Sequence, residues 1–357
     1  MPIKEEISSA LDLIRIAGGM TVGIELPLDN DWSADGERRR KLSNRPRGVP
    51  DLSRQEELVC QVDTSGFSAI WMRDVPVFDP LHFGDAGSIY DPFVNLGFLA
   101  AVTRNVVLGT AAIVLPLRHP LLVAKAAASV DVLAKGRLIL GVATGDRPVE
   151  FPLMGVDFDN RGEIFRNSVN EIRSAWLPGR MVLDGEVAGE DLQLLPKPWR
   201  GTIPMVIAGQ GRQSPEWIAR NMQGIFAYPG SIETMAAQVA SWRQLRGTVS
   251  MDPGVFISAF HLDLDENVSL DAIPHRFGAR IGRHRLVDEL HRFYAAGVDH
   301  LVLHLRNSHR PLDEVLDELA REVLPQVVPS SAPLQQRIQS DSTSNGITPS
   351  SMLSGRS

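Results

Sequence analysis

The chain contains a single cysteine, Cys60, in 357 residues. No disulfide can form within it, which fits a reducing compartment. Cys60 stands in the helical pattern LSRQEELVCQVDTSG beside Val59 and Val62, where a buried, inert thiol is expected rather than a nucleophile. The sequence also lacks any apolar run of about 18 residues, the length a membrane-spanning helix needs; Arg104 and Asn105 interrupt the longest candidate. Its start, MPIKEEISSALDLIRIAGGM, has neither the basic opening nor the unbroken apolar core of a signal peptide, so the cytoplasm is the expected location. Positive charge is scarce, with a formal net charge of −7. The nearest thing to a basic run is RRRK, Arg38 to Lys41, read as a solvated patch in a polar loop, and nothing else could neutralise phosphates along a nucleic acid. There is no Gly-x-Ser-x-Gly elbow, no HExxH helix and no P-loop. His300 and His304 share one side of a strand by parity, but no carboxylate or third histidine is spaced to complete a metal set with them.

Hydrophobic residues make up 43% of the chain, enough for a substantial core, and they are arranged in alternation. Strand-like runs fall at Met20–Leu28, Ala69–Asp74, Val106–Leu115, Arg137–Ala143, Pro204–Gly209, Gly224–Tyr228, Gly254–Leu262 and His300–Leu305. Helical patterns separate them: Arg54–Ser65, Leu121–Lys135, Arg161–Trp176, Pro215–Asn221, Ile232–Leu245, Arg283–Ala295 and Leu312–Val323. In Arg161–Trp176, for example, Ile164, Phe165, Val169, Ile172 and Trp176 recur on one face. Eight strands with intervening helices predict an α/β fold of the (β/α)8 TIM-barrel type; a doubly wound open sheet is the competitor, but no linker divides the strands into two sets. The barrel is expected over 20–328, after an N-terminal extension, 1–19. A hairpin insertion is expected at Val182–Gly201, before the fifth strand, and a long loop at Val77–Asp91, after the second. The tail 329–357 is rich in Ser, Thr, Gln and Pro and is expected to be disordered.

The third strand carries the most informative residues. Gly109, Thr110, Ala111 and Ala112 interrupt it where bulk would be normal, which marks a bulge or the close approach of a ligand or backbone. The strand ends in the proline-bounded loop LPLRHP, with Arg118 and His119, that opens a helix. PMVIAGQGRQSPEW, Pro204 to Trp217, reads as strand, glycine loop and helix start, with Ser214 as N-cap and Pro215 at the first helical position. It is either a phosphate seat, with Gly209 and Gly211 permitting close approach and Arg212 adding charge, or an ordinary well-capped turn. Its Gly-x-Gly-x-x-Ser spacing departs from the dinucleotide fingerprint at the third position. The second and fourth strands end in Arg73–Asp74 and Asp146–Arg147, which form either a structural ion-pair network on the rim or groups that orient substrate and handle protons. His304 reads as a satisfied rim or core histidine.

These blocks, GTAAIVLPLRHP, KGRLILGVATGD, DNRGEIFR and IPMVIAG leading to SPEW, resemble in order the flavin-site blocks of the bacterial luciferase-like flavin-dependent monooxygenases, over roughly Met20 to Val327. RDVP, FGD, YDP and GDRPVEF are similar to an uncharacterised luciferase-type oxidoreductase group within that family. The resemblance implies a TIM barrel that binds FMN, or alternatively a deazaflavin, and often dimerises. It implies a flavin site with Thr110 and Ala143 in it, a non-prolyl cis peptide at Ala111–Ala112 under the flavin ring, Thr144 near the phosphate where luciferases place an arginine, backbone N–H groups of Gly209 and Gln210 on the phosphate beside Gly211, and the Ser214 hydroxyl. The chain departs from luciferase at Val75 and Ala143, where the catalytic histidine and the reactive cysteine would stand, so light emission from an aldehyde is not implied. The function implied is oxidation of a small organic substrate with reduced FMN and O2, with Arg73, Asp74, Arg118 and Asp146 as substrate-side candidates. Reduced flavin would come from a separate NAD(P)H-dependent reductase. A deazaflavin-dependent hydride-transfer enzyme and a non-catalytic flavin-binding protein are the alternatives.

Overall fold

The computed structural model describes residues 9–178, 182–183, 186–187 and 192–329; the tail expected to be disordered lies, from residue 330 on, outside the described residues. Eight parallel strand positions close on themselves in the order β1 (Thr21–Glu25), β2 (Ala69–Met72), β3 (Val107–Thr110) continued by β4 (Ile113–Val114), β5 (Leu138–Ala143), β8 (Met205–Ala208), β9 (Gly224–Ala227), β10 (Val255–Leu264) and β13 (His300–His304). Between them, β6 (Val182–Leu183) and β7 (Glu186–Val187) pair antiparallel, inside the segment expected to hold a hairpin. This is the expected TIM barrel.

Helices wrap the outside, and the six strand-following helices expected before Leu312 all form within a few residues of the predicted bounds: α2 (Gln55–Thr64), α4 (Pro120–Leu133), α6 (Arg161–Trp176), α7 (Pro215–Asn221), α8 (Ile232–Gly247) and α9 (Arg283–Ala295). The last is broken into α10 (Leu312–Glu318), a π turn over Leu319–Val323 and α11 (Leu324–Val327). The short α5 (Glu150–Leu153) follows β5.

Besides α5 and the turn at Ala10–Leu13, three larger elements were not foreseen. The RRRK patch is not in a loop: it ends helix α1 (Ala34–Leu42), capped by Ser33 and laced by Glu37 with Lys41 and Arg40. Helix α3 (Pro92–Val102) is apolar almost all round, so periodicity gives no sign of it; Asp91 caps it by accepting from Phe93 N (2.9 Å) and Val94 N (3.2 Å), with Pro92 at its first position. After β10 the chain makes a hairpin, β11 (Ile273–His275) and β12 (Gly278–Ile281), laid against β10.

Strand alternation decides what fills the barrel. Ala69 and Trp71 of β2 join Val107, Ile139, Val206, Val255, Ile257 and Val302 in an inner cluster, while Ile70, Met72, Leu108, Leu140 and Leu303 pack outward against helices. Trp71 needs room, and Gly109 supplies it: a Cβ there would lie 2.3 Å from the indole ring. Thr110 is buried and donates its hydroxyl to Gly141 O (2.7 Å). Of the four small residues in the third strand, then, only Ala111 and Ala112 face open space.

Residues Ala10–Leu13 form a 3-10 turn under the barrel, and Ala10, Leu11, Leu13 and Ile14 pack into the inner cluster. Thr21 ties them down: its hydroxyl donates to Ile14 O (2.6 Å) and accepts from His300 Nδ1 (2.7 Å), while His300 Nε2 accepts from Trp71 Nε1 (3.0 Å). This chain of bonds requires a neutral imidazole, and burial pushes the His300 pKa down to about 3. The unfolded chain therefore binds the proton first on acidification; the stability is fully present above 6.5 and is lost as pH falls toward 3. Between pH about 6.5 and 5, where ordinary carboxylates stay charged, the free energy of unfolding should drop by about 1.4 kcal/mol per pH unit for each such histidine. Urea unfolding midpoints that stay level across that window would refute this account.

Candidate functional site

The C-terminal ends of the strands surround a cavity of about 1130 Å3. That exceeds the roughly 300–1,000 Å3 of common small-molecule sites and leaves room for two ligands together. Its floor is made of methyl groups: Ala111, Ala112, Ala143, Ala208, Ala227 and Ala259. The Ala111–Ala112 peptide is cis. Thr144, Gly209, Gln210, Arg73, Asp74 and Asp146 also line the cavity; Thr110, Gly211, Ser214 and Arg118 do not.

Two of the substrate-side candidates form a strap. Asp74 accepts from Arg118 through both oxygens (2.8 and 2.9 Å) and from Val114 N (3.1 Å), and Arg118 goes on to Asp91 (2.9 Å). They join the ends of β2 and β4 to the cap of α3. Arg73 lies with Nε 2.9 Å from Glu25 Oε1 and NH1 2.7 Å from Asp85 Oδ2. Asp85 also accepts from Arg306 (2.6 Å), which is fully buried and grips Asp29 through Nε (2.8 Å) and NH2 (2.9 Å). Asp31 completes the network with Arg45. Glu25 is buried at the end of β1 and its carboxyl pKa is raised by that burial, against the pull of Arg73. Asp146 is exposed and has no ion pair; Arg147 lies over the Phe83 ring (4.5 Å), with NH1 buried and unpartnered.

Beyond β8 the backbone turns through left-handed conformations at Gly209 (φ +66°), Gly211 (φ +54°) and Arg212 (φ +52°). Gly209 N–H is already given to Phe226 O (3.0 Å), and Ser214 Oγ accepts from Trp217 N (3.2 Å) at the start of α7. The N–H groups of Gln210, Gly211 and Arg212 have no protein acceptor. The first turn of α6 packs against this loop, since Gln213 Nε2 donates to Gly162 O (2.8 Å). It brings Arg161, half-buried over Phe158 (3.5 Å), whose Nε has no partner. Burial and neighbouring Arg212 both depress the Arg161 pKa. Three free backbone donors and two arginines that repel each other make a seat for an anionic group. The seat fits a phosphate, and the methyl floor beside it fits a flat ring.

Glu25, Asp85, Arg306, Trp32, Tyr228, His261 and Phe277 were not singled out from sequence, although all but Arg306 line the cavity. Glu25 left a signal, an acid at the end of the apolar run TVGIE. Trp32, Tyr228 and Phe277 lie on loops, where side-chain direction leaves no periodic trace.

The luciferase-like monooxygenase family model matches residues 20–316, and the chain belongs to that family. The alkanal monooxygenase alpha chain of Photorhabdus luminescens is 27% identical over 158 residues, covering 44% of this chain and 42% of that protein. The oxygenase component of the flavin-dependent trigonelline monooxygenase of Acinetobacter baylyi is 33% identical over 137 residues, 36% of each chain. The matches thus span about two fifths of these relatives' lengths. The solved coenzyme F420-dependent tetrahydromethanopterin reductase from Methanopyrus kandleri superposes with a TM-score of 0.65 at 15% identity, over 86% of this chain and 99% of that one, a likeness of fold. Among the described residues no helix is long and apolar enough to cross a membrane, and no His, Cys, Asp or Glu group could hold a metal ion.

Proposed function

We propose that this protein is an FMN-dependent monooxygenase that uses reduced flavin and O2 on a small organic substrate, supplied with reduced flavin by a separate reductase. One observation carries the reading: an anion seat with three free N–H groups adjoins a floor of methyl side chains large enough for a planar ring. Sequence likeness to monooxygenases, one of them the oxygenase component of a flavin-dependent enzyme, supports the same reading. When bound, reduced flavin supplies the electrons that activate O2. The chain's own groups bind and orient. Gln210, Gly211, Arg212 and Arg161 hold the phosphate, Ala111 and Ala112 leave the ring its place, and Thr144 borders it. Asp74 and Arg118 fix the edge of the mouth. On the substrate side Arg73 positions the carboxyl of Glu25, which holds a proton more readily than an exposed glutamate, and Asp146 is the rim carboxylate available to orient a substrate.

Flavin fluorescence quenching tests this. Arg161→Gln should weaken FMN about 10- to 100-fold, the worth of one charge-assisted contact, and leave riboflavin, which has no phosphate, within about threefold. Equal loss for both ligands would remove Arg161 from the phosphate seat. Tighter binding of a deazaflavin than of FMN, without O2 uptake, would replace the reading by hydride transfer.

A further inference from the structure

We infer that the substrate bound beside the flavin is a planar aromatic anion, an aromatic or heteroaromatic carboxylate being the simplest case. This rests on the flavin reading above and concerns the half of the cavity that the flavin leaves open.

The cavity has two unlike ends. Going round the barrel, the methyl floor runs from Ala111 and Ala112, between β3 and β4, through Ala143 of β5, Ala208 of β8 and Ala227 of β9 to Ala259 of β10, and the anion seat follows β8. Across the mouth, β10, β13 and the segment after β1 contribute rings instead. His261 stacks on His304 (centroids 4.1 Å apart, planes within 15°), Trp32 lies 5.0 Å from His304, and Phe277 meets His261 edge-on at 5.5 Å. Tyr228 completes the wall 6.5 Å from Phe277. Exposed aromatic rings are costly to leave in water, and they are concentrated here: eight aromatic side chains are exposed among the described residues, and Trp32, Phe83, Tyr228 and Phe277 all line this one cavity. A flat ring is what such a wall accepts.

Charge selects the kind of ring. Arg306 lies 4.7 Å from the centre of Trp32 and Arg276 lies 4.8 Å from that of Phe277. A guanidinium over a ring draws its electron density, so these rings stack best with an electron-rich or anionic partner. The carboxylates at this end have cationic partners: Glu25 and Asp85 share Arg73, Asp31 has Arg45, and Asp263 lies 3.8 Å from Arg280. His261 is neutral, burial and then Arg73 holding its pKa near about 4. Arg276 and Arg47 line the cavity with no carboxylate in ion-pair range. Among the residues that line the cavity, three arginines (Arg47, Arg147 and Arg276) and one carboxylate (Asp146) have no ion-pair partner, so the unpaired charge there is positive although six carboxylates and five arginines line it in all. A second cavity of about 440 Å3 lies on the other side of the wall and shares Trp32, His261, Arg276 and Phe277 with the first.

Calorimetric titration of the FMN-saturated protein tests this with benzoate, benzamide, benzyltrimethylammonium and decanoate. Benzoate should bind, with benzamide and decanoate each at least about 10-fold weaker and the cation weaker still. Arg276→Ala should weaken benzoate about 10-fold and leave benzamide unchanged; Phe277→Gly should weaken both. Phe277 sits at φ +67° on a hairpin tip, a conformation glycine adopts freely, so that variant keeps the fold. Equal binding of benzoate and benzamide, tighter binding of decanoate or of the cation, no binding of benzoate, or an unaltered benzoate affinity in Arg276→Ala would each overturn the inference. FMN binding is measured first. A protein that binds FMN but fails these tests overturns the substrate class alone, whereas one that does not bind FMN overturns the flavin reading and this inference with it.

Discussion

Replacing Arg306 by methionine should destabilise the protein by about 3–5 kcal/mol, more than any other single change at the mouth. Arg306 has no exposed surface and makes three charge-assisted bonds, two to Asp29 and one to Asp85. Methionine fills much of the same volume but leaves Asp29 buried without a cation and Asp85 with Arg73 alone, and stranding a buried charge costs far more than an ion pair contributes. For a chain of 357 residues the loss corresponds to a melting temperature lower by about 4–7 °C. The cause can be separated from simple misfit by pH. In the variant the stranded carboxylates have raised pKa values, so their penalty is present near neutrality and relieved as they take up protons. The gap between variant and native protein should therefore narrow as pH falls toward about 4. A gap of constant size would mean that packing, not charge, was lost. Thermal unfolding followed by circular dichroism at a series of pH values reads both.

The second large effect is on binding alone. Ala112→Leu should weaken FMN at least about 100-fold and change stability by less than about 1 kcal/mol. Ala112 is buried in the floor, yet it borders the cavity of about 1130 Å3, so a larger side chain has space to enter. The space it takes is the space proposed for the ring. Flavin titration and urea unfolding on the same preparation check the two halves. Unchanged FMN affinity would move the flavin away from this floor, whatever the variant's stability.

The barrel was legible because its strands, buried on both faces, read as short apolar runs, while most of its helices bury one face and so write a period into the sequence. Arg161–Trp176 and Pro215–Asn221 are cases where the pattern and the element agree residue for residue, whereas the strand expected over Met20–Leu28 shrinks to Thr21–Glu25. Helix α3 was hidden by having too little polar surface, and the β11–β12 hairpin by having too much. At the site, sequence reasoning found what belongs to strand ends and glycine turns, such as Ala111, Ala112 and the loop after β8. It divided the small residues of the third strand less well: Gly109 exists for Trp71, a contact between strands that no local pattern records. Asp74 and Arg118 drew attention separately, as substrate-side candidates, and are bonded to each other, whereas Glu25 and Arg306, placed by contacts across the barrel, passed unremarked. Long-range pairing is the part of the site that spacing along the chain cannot encode.

The turn at Ala10–Leu13 also orders events in time. It seats against side chains from β2 through β13, Val302 among them, and is tied through Thr21 to His300. None of that surface exists until the eighth strand has joined the ring. On a ribosome the first described residues must wait while nearly three hundred more emerge, and only then close the barrel's end. A stopper that precedes all eight strands makes completion of the barrel, rather than its initiation, the step that locks the core.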